Sequence, residues 1–469
     1  MDLPAEYSND AQYIMSLRLA PYMASIILGM SLGLCSLSQA QVGGMGGGMG
    51  GGMGGGLSTI PGTEFGGRTD PSSLQGGVGL RLIPSIQVSE RYDSNVFFAP
   101  KGQLRELSLR PEDLVTTVMP QVRGIYVDPQ NLVRLNALVG AVGSYYVNNP
   151  EISYVGANAG VALDMSDLLS RWRPGTRWRV SDTYFYSPQP PAFLLGGQMG
   201  EQANPLVAGF QANRTNTSSN SINTVFEFPL NKVVSVGGSY SHSFIHYGAS
   251  EVPRAANLIS QNAHAYTAGL ITQLSLYDTV RVDFMGSEFD QGRVGAFSAR
   301  GGTLGWTHRF SPTVSVNTTG GVQVLSGELN QVQLSSVVAP FGNLSVNWNT
   351  PATTMTLAYR SAITPSFQFQ GAAMLNHSVL FNMSQNTPIR DVVALLGANY
   401  GIANEYGASS QGALSWTTVG GMAGLLYRVT QQTFLTMTYS YQNVDNVFRG
   451  LHFAFDRHVA QIALTQSFY

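Results

Sequence analysis

Cysteine is nearly missing from this chain. Of 469 residues one is cysteine, Cys35, and it falls inside an apolar N-terminal run. With that run removed, no disulfide can staple the fold. Charge is scarce as well: Lys, Arg, Asp and Glu make up 11% of the residues and nearly cancel to a net −2, with Lys and Arg scattered singly. The sequence therefore presents no basic face for nucleic acid. Beyond the first 40 residues there is no long apolar run, so the body of the chain encodes no membrane-spanning helix. The glycine tract precedes no helix, which rules out a phosphate cradle of the usual kind.

The N-terminus reads as an address. From Met15, the expected true start, a short basic beginning leads into an apolar stretch and then into Ser36-Leu37-Ser38-Gln39-Ala40. That is the pattern of a secretory signal, and residues 1–40 are read as one, cut after Ala40. A lipid anchor at Cys35 would want a small residue before it, and Leu34 is large. Residues 41–77 form a Gly/Met-rich leader that cannot bury a core, and they are read as a flexible periplasmic tether. Met45, Met49 and Met53 offer thioethers to a soft metal, but no His or Cys nearby completes a ligand set. Neither a metal nor a cofactor is expected.

From residue 78 to 469 the texture changes to alternation. In Thr433 to Tyr441, the residues Leu435, Met437, Tyr439 and Tyr441 alternate with Thr436, Thr438 and Ser440. Val234, Val236, Tyr240 and Phe244 alternate with Ser and Gly, and Met355, Leu357 and Tyr359 alternate with Thr354, Thr356 and Arg360. Successive strand side chains point to opposite faces, so one face is greasy and the other small and polar. Many such segments separated by turn signals predict a transmembrane, all-β, antiparallel up-and-down barrel.

Tight turns are expected near residues 128–131, 168–176, 229–232, 277–278, 311–312, 349–351, 388–391 and 430–432. Longer polar connections are expected near 93–113, 148–151, 187–214, 248–261, 291–296, 327–331, 365–371, 404–410 and 443–452. Short and long alternate, as periplasmic turns and extracellular loops do in such barrels. Counting hairpins gives about 18 strands of roughly ten residues, with 16 as the alternative. The connection at 187–214, rich in Pro, Asn, Gln and Gly, is a candidate constricting element.

With the greasy parity outward, the lumen-lining set comprises Arg134, Asn136, Arg281, Asp283, Arg309, Asn317, Arg360, Asn376 and Arg428. An Arg facing lipid at the midplane would cost about 2–4 kcal/mol, which is what fixes this choice of parity. Trp172, Trp178 and the terminal Tyr469 are assigned to the interfacial girdle. Arg171, Arg173, Arg177 and Arg179, beside the two tryptophans, are read as reaching toward headgroups or the lumen rather than holding a polyanion. The seven histidines are scattered. Asp456 near His458 has relay spacing but no nucleophile motif beside it, so no catalytic residue is assigned.

At the first strand the chain reads Val88-Ser89-Glu90-Arg91-Tyr92-Asp93-Ser94-Asn95-Val96-Phe97-Phe98. A first strand closing on Tyr92, Asp93, Asn95 and Phe97 in this order resembles the β-barrel porins found among exopolysaccharide-biosynthesis and protein-sorting gene clusters of Gram-negative bacteria. The resemblance implies an outer-membrane pore that assists polysaccharide export, with no catalytic residues to carry over. Its partners would be outer-membrane lipid, the barrel insertion machinery and a polysaccharide or other small polar solute. Physically, Asp93 and Asn95 are expected to cap the strand-to-loop corner, with calcium or sugar contact there as a lesser reading.

Overall fold

The computed structural model describes residues 78–468 apart from 98–99, 107–109, 188–214, 251–259, 293–294, 330–331, 366–372, 407–414 and 449–450. The signal, the Gly/Met leader, the 187–214 connection beyond Ser187, and Tyr469 thus lie outside the described residues. Eighteen strands follow one another: β1 (Gly79–Asp93), β2 (Asp113–Val127), β3 (Arg134–Tyr146), β4 (Tyr154–Asp164), β5 (Arg177–Ser187), β6 (Thr215–Pro229), β7 (Val234–Ser250), β8 (Gln261–Gln273) and β9 (Asp278–Asp290). The second half continues with β10 (Gly295–Arg309), β11 (Val314–Leu329), β12 (Val332–Asn349), β13 (Thr353–Pro365), β14 (Ala373–Asn386), β15 (Val392–Tyr406), β16 (Ser415–Arg428), β17 (Thr433–Phe448) and β18 (Leu451–Ser467). Two short helices, α1 (Lys101–Glu106) and α2 (Ser166–Trp172), sit in connections.

Each strand runs antiparallel to the next, and β1 pairs with both β2 and β18, so the sheet closes on itself. Closure leaves no strand edge unpaired, the one way a sheet can enter hydrocarbon without stranding its backbone groups. The register carries one parity around the whole ring. On it, Leu357, Tyr359, Leu396, Tyr400, Met437, Tyr439, Ile462 and Leu464 are all exposed on the outside. The opposite parity holds Thr436, paired with Leu426 and Ala463, and Gln87, paired with Thr465. The outer face also carries charge: Asp182 takes the outward parity on β5 and accepts a hydrogen bond from Asn220 Nδ2 at 2.6 Å, and Glu288 on β9 and Arg300 on β10 take it as well and pair with each other.

All eight tight turns fall where the turn residues put them. The other end of the barrel differs from the sequence expectation at two places. β11 and β12 are separated by two residues, as are β17 and β18, in place of the longer connections expected at 327–331 and 443–452. Strands run from 11 to 18 residues. The physical reason is visible in β17 and β18, where Asn443 pairs with Asp456 and the ladder continues to Phe448 opposite Leu451. Polar side chains do not end a strand once its backbone has a partner. Within β11 the register slips between Leu325 and Gly327, and Gly327 adopts φ +146° there. Glycine takes that conformation without strain, which suits it to a bulge.

Candidate functional site

The inner wall is set by register alone. From β1 round to β18, the Cα ladder places Arg134, Asn136, Arg281, Asp283, Arg309, Asn317, Arg360, Asn376 and Arg428 on the side opposite the exposed apolar residues. Their surroundings differ. Arg360, Arg309 and Arg428 are exposed, whereas Arg281 and Asp283 are buried, with Arg281 Nε donating to Asp283 Oδ2 at 2.5 Å. Asn136 Oδ1 accepts from Arg123 Nε at 3.1 Å, and Asn317 Nδ2 donates to Ser345 Oγ at 3.4 Å. Asn376 is half-buried. Arg134 and Arg428 stand at the tight-turn end, where Arg134 pairs with Asp167 at 2.5 Å and Arg428 Nε donates to Asp391 Oδ1 at 3.0 Å.

At the other end the connection between β1 and β2 folds onto this inner wall. Val96, Phe97 and Leu104 are buried to 1%, 2% and 0% exposure against Val115 and Tyr146, which carry the inward parity of β2 and β3, and against Ile152. Apolar burial against the inward-facing residues holds the segment in place. Sequence reasoning named 187–214 as a candidate constricting element, which lies outside the described residues beyond Ser187, and did not single out the inward fold of this connection. Two adjacent apolar residues, Val96 and Phe97, three and four residues after the strand-end Asp93 were the available signal.

The Tyr92, Asp93, Asn95, Phe97 motif lies at the seam of the barrel. Asp93 Oδ1 accepts from the backbone N–H of Asn95 at 3.1 Å, the strand-end cap read from the sequence. Both Asp93 oxygens also accept from Arg457 on β18, at 2.9 and 2.5 Å, and Arg91 Nε lies 3.9 Å away. These charge-assisted contacts hold the carboxylate between the first and last strands. Tyr92 points outward, with its hydroxyl 3.5 Å from Glu112. A second carboxylate, Asp113, gathers the backbone N–H groups of Asn148 and Asn149 and the Asn149 side-chain amide at 2.8 to 3.0 Å, and so fixes the connection after β3.

The arginine-rich turn between β4 and β5 forms a clasp. Arg173 donates to the carbonyls of Pro229 and Leu230 at 3.1 and 2.6 Å and lies 5.6 Å over the Phe228 ring. Arg171 reaches Gln130 in the next turn at 3.0 Å, Arg177 pairs with Glu227 at 3.5 Å, and Arg179 pairs with Asp164 at 2.9 Å. Trp178 faces outward and donates to Thr224 Oγ1 at 2.9 Å, while Trp172 is 80% exposed on α2. The guanidinium groups tie three neighbouring turns together.

Among the described residues no group of three His, Asp or Glu side chains is placed to hold a metal. His308 Nδ1 meets Asp278 Oδ1 at 2.8 Å, and Ser275 Oγ donates to Asp278 Oδ2 at 2.7 Å. The hydroxyl is thus bound to the carboxylate and not to the imidazole, the wrong order for a nucleophile. His458 Nε2 and Asp456 Oδ2 are 3.7 Å apart on the outer face.

Taken together, these features define a closed, 18-stranded antiparallel β-barrel with an apolar outside, a polar inside and one connection folded inward. Solved structures of similar shape include OpdO of Pseudomonas aeruginosa, at 9% identity over 82% of this chain and 97% of that one, with a TM-score of 0.41. OccAB2 of Acinetobacter baumannii matches at 10% identity, 83% and 98% coverage and a TM-score of 0.43, and OccK2 (OpdF) of Pseudomonas aeruginosa at 7%, 83% and 99%, with 0.43. No model of a known protein family matches the chain, and no curated protein does.

Proposed function

We propose that this chain is an outer-membrane pore of a Gram-negative envelope, passing small polar solutes and serving polysaccharide export. One observation carries the reading. Around the closed ring of eighteen strands, one parity carries the exposed Leu, Val, Tyr and Met and the other carries Arg, Asn, Ser and Thr together with a buried apolar cluster on β7–β12. A cylinder of that kind is stable with hydrocarbon outside and water inside. A barrel of about this strand number is wide enough for an aqueous channel. The tight turns then face the periplasm and the connection 94–112 lies at the outer mouth. The neutral Ser, Thr, Asn and Gln of the inner wall, with arginines set singly among them, favour a neutral hydrophilic cargo over a strongly charged one.

Planar-bilayer recording of the purified full chain tests this. Steady open steps that are partly blocked by added neutral glycans support the reading. Silence from a sample shown to be folded by its slower-to-unfold gel mobility would end it, and would leave a closed barrel acting through its loops.

A further inference from the structure

The outer wall repeats one side-chain pair three times. Tyr240 Oη lies 2.9 Å from His264 Nδ1, Tyr359 Oη 2.9 Å from His377 Nδ1, and Tyr439 Oη 2.8 Å from His458 Nδ1. The geometry is the same each time. The Cα partners of the three tyrosines are Tyr266, Val379 and Ala460, and each histidine stands two residues before that partner. Each tyrosine is six residues on from the first residue of its strand, Val234, Thr353 or Thr433. Each histidine is nine residues short of the last residue of its own, Gln273, Asn386 or Ser467.

Equal spacing from the tight-turn end puts the three imidazoles at one height. With a rise of ~3.3 Å per residue along strands tilted by ~40°, nine residues climb about 23 Å, close to the ~25 Å height of the apolar band. The ring therefore runs along the upper rim of the lipid-facing belt, with members on β7–β8, β13–β14 and β17–β18. On the β7–β10 arc it thickens: the His242 ring stacks on His264 at 4.5 Å, Glu288 is the cross-strand partner of His264, and Arg300 Nη2 donates to Glu288 Oε1 at 3.0 Å.

Chance placement of histidine would not hold both register and height three times over. In each pair the tyrosine hydroxyl engages Nδ1 and fixes the ring, and at His458 the Nε2 lies 3.7 Å from Asp456 Oδ2. A hydroxyl can donate to a neutral Nδ1 or accept from a protonated one, so the pair survives proton uptake while its charge changes. Charges that face the ring are Glu288 and Arg300 at His264, and Asp456, itself paired with Lys101 at 3.2 Å, at His458. The Cα partners of His377 are Ser361 and Ile402, neither of them charged.

We propose that this ring recognises the phosphate of anionic lipid headgroups in the outer leaflet, and grips them more tightly as its imidazoles take up protons. The inference rests on the membrane-barrel reading. A cation held at a fixed height beside a headgroup layer attracts its phosphates most strongly when the hydrocarbon rim is level with it.

The test uses the full chain in bilayers of phosphatidylcholine containing spin-labelled phosphatidylcholine or spin-labelled diphosphoryl lipid A. The preference for the anionic label among motionally restricted lipid is measured at pH 5.5 and 8. It should rise about fivefold at the lower pH. His264→Gln/His377→Gln/His458→Gln should abolish the rise, and His377→Gln alone should reduce it, with conductance retained in both. A wild-type preference independent of pH, or an unchanged rise in the triple variant, overturns the proposal. Absence of any restricted lipid, of either kind, overturns the membrane reading and this one with it.

Discussion

Arg457 and Asp93 are 364 residues apart in sequence, yet they meet in a two-pronged ion pair across the seam of the barrel, with both side chains under 10% exposed. Around them Ser94 donates its backbone N–H to the His458 carbonyl at 3.0 Å and accepts the His458 N–H on its hydroxyl at 2.8 Å. β18 thus meets β1 through a charged pair and not by apolar contact alone. Asp93→Asn leaves Arg457 buried without its counter-charge, a change that costs about 3–5 kcal/mol when a buried pair loses one partner. The temperature at which the folded gel band converts to the unfolded one should fall clearly. Asp93→Asn barrels that melt with the wild type would show the clasp to be idle.

Phe97 supports the inward-folded connection. It is fully enclosed with Leu104, Val115 and Tyr146, and truncating such a ring to alanine costs about 3–5 kcal/mol where the loss is felt globally. Here the loss falls on a local segment, so the expected result is release of the segment rather than of the barrel. Phe97→Ala should raise single-channel conductance and expose residues 94–112 to protease, with thermal conversion nearly unchanged. Equal conductance and equal cleavage would place the narrowest point elsewhere.

The fold was legible because lipid and water impose opposite demands on successive residues. Arg360 between Tyr359 and Ser361, or Thr438 between Met437 and Tyr439, can be sorted without knowing any partner. The seam was not legible in that way. Nothing local to Tyr92-Asp93-Ser94-Asn95 shows that the carboxylate will be taken by an arginine at the far end of the chain. The partners of the arginine-rich turn were hidden for a related reason. Arg173 has backbone carbonyls of Pro229 and Leu230 as acceptors, and backbone acceptors leave no mark in a sequence. Alternation also overstated the connection before Leu451, because polar residues such as Asn443 and Asp445 look like loop until their ladder partners are known.

Gly327 offers a backbone test. A Cβ there would lie 2.5 Å from Phe297 Cα and 2.8 Å from Phe297 Cβ, at a φ that side-chain-bearing residues avoid. Gly320 on the same strand has nothing within 4 Å of the added atom. Gly327→Ala should therefore destabilise the barrel by more than about 1 kcal/mol, while Gly320→Ala should be close to neutral. Heat conversion of the two variants side by side gives the answer. Equal behaviour would mean that the bulge in β11 relaxes freely.

Arg360 separates an aqueous interior from a dry one. It is exposed although it faces away from the lipid-side parity, and it sits at mid-wall on β13 opposite Asn343 and Ser378. If water and ions pass it, reversing its charge must change which ion passes more easily. Arg360→Glu should move the reversal potential in a salt gradient toward cation preference. The shift should be large near 0.1 M salt, where the screening length is about 10 Å, and small near 1 M, where it is about 3 Å. Arg300→Gln, on the outer face, should leave the reversal potential where it was. A shift from the outer residue and none from the inner one would invert the parity on which the pore reading is built, since a charge can bias permeation only from the side on which the ions travel.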